Sequence, residues 1–211
     1  MKTYLFDFDG TLVDSMPTFC KTMLRILDEN GIKYGENITR IITPLGYHGT
    51  ADYFIGLGLN MPKDGIVARM HEYARADYRD TIPAKPNVIE VLKELREGGA
   101  SLNVLTASPH EMLDPCLMRL GIFELFDNVW SCEDFGLPKS NPEIYEAAAK
   151  RLGKAVSEVT FLDDNLGADR TAKAAGMRVV GVFDESSRES EAEMRALCDG
   201  YIYNFKELLE V

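Results

Sequence analysis

Short apolar runs punctuate the chain at Thr3 to Phe8, Ser101 to Thr106, Asn128 to Trp130, Val159 to Leu162, Val179 to Phe183 and Tyr201 to Tyr203. Most are separated by helix-like segments, and runs of this length read as buried strands of a parallel sheet. Val88, Val91, Leu92 and Leu95 keep helical spacing and stop at Gly98-Gly99, just before the run at Leu102. The alternation predicts an α/β fold, a doubly wound parallel sheet covered by helices, with ligands beyond the carboxyl ends of the strands.

Residues 15–82 break the rhythm. Phe19, Met23, Leu24 and Leu27 form one helical stripe, Ile66, Met70, Tyr73 and Asp77 a partial second, and no convincing strand lies between them. The pattern predicts a small helical domain over 15–82, inserted into a core made of 1–14 and 83–211. Hinges are expected near Val13 to Ser15 and near Ile82 to Pro86, where Pro83 and Pro86 suit a linker. The acidic stretch from Asp184 to Glu193 reads as a solvated loop and helix face.

At 211 residues the chain can build one large α/β domain or a medium core with an insertion. Its 45% hydrophobic and 27% charged residues are those of a soluble globular protein. No apolar stretch reaches the length of a membrane span, and Met1-Lys2-Thr3 leads into a strand without a signal-peptide layout, so a cytoplasmic location is expected. Cys20, Cys116, Cys132 and Cys198 are scattered, without a Cys-x-x-Cys pair or a histidine near in sequence, and read as reduced thiols. A net charge of -11 argues against nucleic acid as a partner. A small anionic substrate would need local positive charge.

Polar residues gather where the apolar runs stop. Asp7-Phe8-Asp9-Gly10-Thr11 follows Tyr4-Leu5-Phe6, and Gly10 allows a sharp turn, so this tip can hold a metal and a phosphate; read alone it also fits an acidic strand end closed by a glycine turn. Thr106 ends the second core run, and Ala107 and Ser108 stand at a helix start, where amides favour an anion. Ser108-Pro109-His110-Glu111 has the form of a capping box, so Ser108 reads as a helix cap and Thr106 as the functional residue. Lys139 lies between Pro138 and Pro142, rigid neighbours that can turn its ammonium inward, although solvated surface is an equal reading. Asp163 and Asp164 end the run from Val159, and Asn165 or Asp164 can cap the following helix.

Asp7 and Asp9, Thr106, Lys139, and Asp163 with Asp164 occur in the order and spacing of the haloacid dehalogenase superfamily, and the resemblance covers the whole chain. It resembles the phosphoglycolate phosphatase and β-phosphoglucomutase subgroup, whose helical cap follows the first motif. One departure concerns the last motif, which often reads Gly-Asp with a second Asp four residues on. Here Asp163 replaces the Gly, Ala168 sits at the later position, and Asp169, one place out of register, reads as helix surface.

The resemblance implies a Mg2+-dependent phosphatase of small phosphorylated metabolites. Asp7 would attack phosphorus to form an aspartyl phosphate, and Asp9 would serve as general acid and then base. Mg2+ would be held by Asp7, the backbone carbonyl of Asp9 and Asp164, with Asp163 as a second or water-mediated partner. Thr106 and the Ala107 amide would bind phosphoryl oxygens, and Lys139 would offset their charge. In the cap, the loop from Thr43 to Thr50 is the candidate contact to the leaving group through Tyr47, His48 and Thr50, a plain interhelical turn being the other reading; His71 and Arg75 read as a solvated face. The rival reading is a sugar-phosphate mutase. Such mutases place a histidine in the first cap helix and Lys-Asn after the second motif, where this chain has Phe19 and Pro109-His110. A catalytically idle binding member should lack an acid or the lysine, and all are present.

Overall fold

The structure, a computed structural model, describes residues 2–42 and 45–210. The chain forms two compact units, Met1–Asp14 with Pro83–Val211, and Ser15–Ile82.

In the first unit the strands are β1 (Thr3–Phe6), β2 (Ser101–Thr106), β3 (Asn128–Ser131), β4 (Val159–Asp163), β5 (Arg178–Val182) and β6 (Gly200–Ile202). All pair in parallel in the order β3-β2-β1-β4-β5-β6. Tyr4, Leu5 and Phe6 are buried without alternation, as a central strand covered on both faces requires. Phe6 stands opposite Val104 on one side and Leu162 on the other. Strand order reverses between β1 and β4, and a crevice opens beyond the carboxyl ends at such a switch point. One polar residue inside the sheet is fully answered: Asn103 donates to the Tyr4 carbonyl (3.1 Å) and accepts from Asn128 (2.7 Å).

The second unit holds α1 (Met16–Glu29), α2 (Ile38–Ile42), α3 (Gly46–Gly56) and α4 (Lys63–Asp80), and among the described residues it has no strand. Met23, Ile26 and Leu27 of α1 share a core with Phe54 of α3 and Ile66, Met70 and Tyr73 of α4. The remaining helices belong to the first unit: α5 (Val88–Glu97), α6 (His110–Arg119), α7 (Glu143–Arg151), α8 (Leu166–Ala174) and α9 (Glu191–Leu197). Ile144 and Tyr145 of α7 and Ala168 and Ala172 of α8 pack with Leu5, Leu105, Phe161 and Val179 of the sheet.

The expected loop from Thr43 to Thr50 is corrected. Thr43 and Pro44 lie outside the described residues, and α3 begins at Gly46, so Tyr47, His48 and Thr50 are helical. Two glycines in the segment lower helix propensity. Packing of Ala51 and Phe54 into the unit's core overrides it.

Candidate active site

Beyond Phe6 the Asp7 N–H donates to the Leu162 carbonyl (2.8 Å), so Asp7 leaves the sheet beside the end of β4. The next residues close a tight loop in which the amides of Leu12 and Val13 both donate to the Phe8 carbonyl (2.9 and 3.0 Å). Gly10 has φ of +74°, and a Cβ there would stand 2.6 Å from the Asp164 carboxylate carbon. Glycine is therefore required both by the turn and by the approach of Asp164. Thr11 donates its hydroxyl to Asp164 Oδ1 at 3.1 Å.

Asp7, Asp163 and Asp164 are buried, and each presents a carboxylate oxygen within 4.8 Å of the others. Lys139, from the segment between β3 and α7, donates to Asp7 Oδ1 and to Asp163 Oδ2, the latter at 2.8 Å. Its backbone carbonyl accepts from the Tyr145 hydroxyl (3.1 Å), which fixes the lysine to α7. Asp163 Oδ1 in turn accepts the Asn165 N–H (2.7 Å), so both oxygens of Asp163 are engaged. Asn165, rather than Asp164, caps α8 by accepting from the amides of Gly167 and Ala168.

Three carboxylates thus face one ammonium, so full ionisation would leave two negative charges uncompensated. Burial pushes the Asp7 carboxyl up to about 7, an effect that Lys139 opposes and that Asp163 and Asp9 reinforce. Burial, with Asp163 and Asp7 nearby, also raises Asp164 well above the ordinary carboxylate range. Burial alone would discharge Lys139, but Asp163 and Asp7 outweigh it and hold the ammonium's pKa above its usual value. An all-oxygen, anionic, partly neutralised cluster fits a hard divalent cation, and lacks the nitrogen or sulfur donors that zinc prefers.

Thr106 ends β2 buried, and its hydroxyl accepts the Ser108 N–H (3.1 Å). Ala107 is exposed beside it. Ser108 corrects its expected role. The residue preceding α6 is Pro109, no side chain caps that helix, and the Ser108 hydroxyl instead donates to Asp9 Oδ2 at 2.5 Å. His48 lies exposed on α3, in the helical unit. His71 is half-buried with its ring 4.5 Å from that of Tyr47, and Arg75 is exposed.

Two further expectations are overturned. Asp169 is no surface residue: it is fully buried, its Oδ2 accepts from Cys198 Sγ (3.3 Å), and Oδ1 has no partner among the described residues. The helical phase that places Ala168 and Ala172 against the sheet also turns this side of α8 inward. Asp184, expected to be solvated, is buried against Lys85. The Lys85 ammonium donates to the carbonyls of Gly10 and Phe183 (2.6 Å each) and to Asp184 Oδ2 (2.9 Å), fastening the Asp9-Gly10 loop to the end of β5. Burial opposes the charge on Asp184, yet bonds from Ser186 and Lys85 hold its carboxyl below the usual range. Lys85 stands between Pro83 and Pro86, the same signal that marks Lys139, and so was readable in the sequence.

A doubly wound core with acids and a lysine converging at the switch point, and a helical unit inserted after the first strand, defines a hydrolase of the haloacid dehalogenase type. The model of that family, haloacid dehalogenase-like hydrolase, matches residues 1–176, and the chain belongs to it. Curated relatives include validoxylamine A 7'-phosphate phosphatase from Streptomyces hygroscopicus subsp. limoneus, 26% identical over 93% of this chain and 92% of that protein. Hexitol phosphatase B from Escherichia coli is 27% identical over 84% and 82%. Among solved structures, a subfamily IA hydrolase of the superfamily from Geobacter sulfurreducens shares the fold with a TM-score of 0.80 at 19% identity, covering 100% of this chain and 95% of that one. CbbY from Rhodobacter sphaeroides, in complex with xylulose-(1,5)bisphosphate, does so at 0.78 and 21%, covering 99% and 96%.

Proposed function

We propose that this chain is a Mg2+-dependent phosphatase that hydrolyses phosphate monoesters of small metabolites in the cytoplasm, through an aspartyl phosphate on Asp7. The observation that carries the reading is the buried meeting of Asp7, Asp163, Asp164 and Lys139 at the switch point, with Asp9 beside it. Relatives named for sugar-like phosphates support the substrate class. The free thiols of Cys116, Cys132 and Cys198 fit a reducing compartment. No helix among the described residues is long and apolar enough to cross a membrane.

In the first step a carboxylate oxygen of Asp7 forms a bond to phosphorus as the ester P–O bond breaks, and Asp9 gives its proton to the departing oxygen. In the second, Asp9 takes a proton from water while that water's oxygen bonds to phosphorus and the Asp7 ester bond breaks, releasing orthophosphate. A bound Mg2+, held by Asp7, the Asp9 carbonyl and Asp164, supplies the missing positive charge and keeps Asp7 ionised as a nucleophile. Thr106 and the Ala107 amide hold phosphoryl oxygens, Lys139 offsets their charge, and Asp163 keeps Lys139 in place. The unit of residues 15–82 is the cap, and His48 within it helps select the leaving group.

Hydrolysis is favoured over mutase chemistry by His110, which stands where the mutases resembled above have Lys-Asn. Its two ring nitrogens engage Asp114 and Asp134, each at 2.9 Å, rather than presenting a cation for a second phosphate. The test is phosphate release from sugar phosphates, phosphoglycolate, nucleoside monophosphates and pyrophosphate, with and without Mg2+. The expected result is Mg2+-dependent turnover that Asp7→Asn abolishes while its circular dichroism spectrum stays that of the parent. Normal rates in D7N would refute the nucleophile.

A further inference from the structure

We infer that Ser108 is a positioning residue for proton transfer by Asp9, an inference that rests on the phosphatase reading above. Its hydroxyl donates to Asp9 Oδ2 at 2.5 Å, across 99 residues of chain. The Ser108 backbone is itself fixed, because its N–H donates to the buried Thr106 hydroxyl at 3.1 Å. Asp9 is thereby tied to the end of β2, one strand away from the β1 tip that carries it.

A carboxylate on a short side chain turns freely about its last torsion, and proton transfer needs one oxygen within hydrogen-bond reach of the leaving atom. A fixed donor on Oδ2 sets the carboxylate plane, and with it the place of Oδ1. Serine suits both halves of the reaction. Its hydroxyl donates to Oδ2 when Asp9 is a carboxylate, and equally when Oδ1 carries the proton destined for the leaving oxygen, so the same contact serves the acid and the base form. No helix-capping duty competes, since Pro109 precedes α6 and no side chain caps it. Ser108 is half-buried and its hydroxyl is bonded to Asp9, so its effect is assigned to pass through Asp9.

The experiment compares the full chain with Ser108→Ala, Ser108→Cys and Ser108→Thr on two esters with Mg2+. Glycerol phosphate releases an alkoxide that must be protonated; p-nitrophenyl phosphate releases a phenolate that leaves without help. Single-turnover release of the leaving group reads the first step alone. S108A is expected to slow release from glycerol phosphate by about tenfold, a fraction of the usual general-acid contribution, with KM changed by less than about twofold. Release of p-nitrophenolate should be nearly unchanged, S108C should fall between, and S108T should restore the parent rate on glycerol phosphate. If S108A does not fold, the S108C-to-S108T contrast on the two esters decides. Equal losses on both esters, or no loss on glycerol phosphate, would overturn the role of Ser108 while leaving the phosphatase reading intact. A parent chain that releases phosphate from neither ester, nor from any of the phosphates in the screen above, would overturn both.

Discussion

Thr11 shows how one hydroxyl can serve both folding and chemistry. It is fully buried and donates to Asp164 Oδ1 at 3.1 Å, so it supplies a hydrogen bond to a carboxylate that has left water. Thr11→Val keeps the shape and removes the donor, leaving a buried acceptor unanswered, which costs about 1–3 kcal/mol. Urea unfolding of T11V should show a loss in that range; a change below about 0.5 kcal/mol would mean that Asp164 finds another partner. Lys139 follows the same logic with a full charge. Proline neighbours and a Tyr145 bond to its carbonyl hold an ammonium among carboxylates that would otherwise repel one another.

At the scale of elements, the buried runs of β1, β2, β4 and β5 were legible because central parallel strands leave apolar residues on both faces, and residues at their ends stood out by contrast. The placement of Asp7 just past β1, and of Thr106 and Asp163 as the last residues of β2 and β4, followed from strand order. What local pattern could not carry was partnership across the chain. Ser108 fits a capping box in sequence, yet the nearby Asp9 captures its hydroxyl. Asp169 fits a polar helix position, yet β5 and the Cys198 segment enclose it, and burial pushes its carboxyl up from 3.8 to about 8, with Asp163 adding to the effect. The sign of the consequence is fixed by linkage. The folded state binds this proton more tightly than the unfolded chain, so the group's favourable contribution is fully present below about pH 4 and is lost as pH rises through about 8. Asp169→Asn keeps the protonated form's shape at every pH. Between pH 5 and pH 8.5 the parent should therefore lose stability relative to D169N by an amount on the order of a few kcal/mol. Urea midpoints that stay parallel across that range would show that Asp169 is not enclosed as described.

For the whole molecule, the acid cluster sets folding against function. Three carboxylates share one lysine within a chain of net charge -11, so full ionisation at the switch point carries repulsion that proton uptake or a bound cation would relieve. A ligand that binds the native state alone stabilises it by about 2.7 kcal/mol at a hundred times its Kd. For a chain of this length, each kcal/mol corresponds to about 2–4 °C in Tm. Saturating Mg2+ should then raise Tm by about 5–10 °C, reversed by a chelator. Screening of the acidic surface would also raise Tm, and Asp164→Asn separates the two effects. That substitution removes one buried charge and one cation ligand together. D164N should melt higher than the parent without metal and should lose most of the Mg2+-dependent rise, while sodium chloride at matched ionic strength affects both proteins alike. A rise of equal size in both would place the ion on the general surface, and would remove the physical reason for keeping so much buried negative charge at the end of β4.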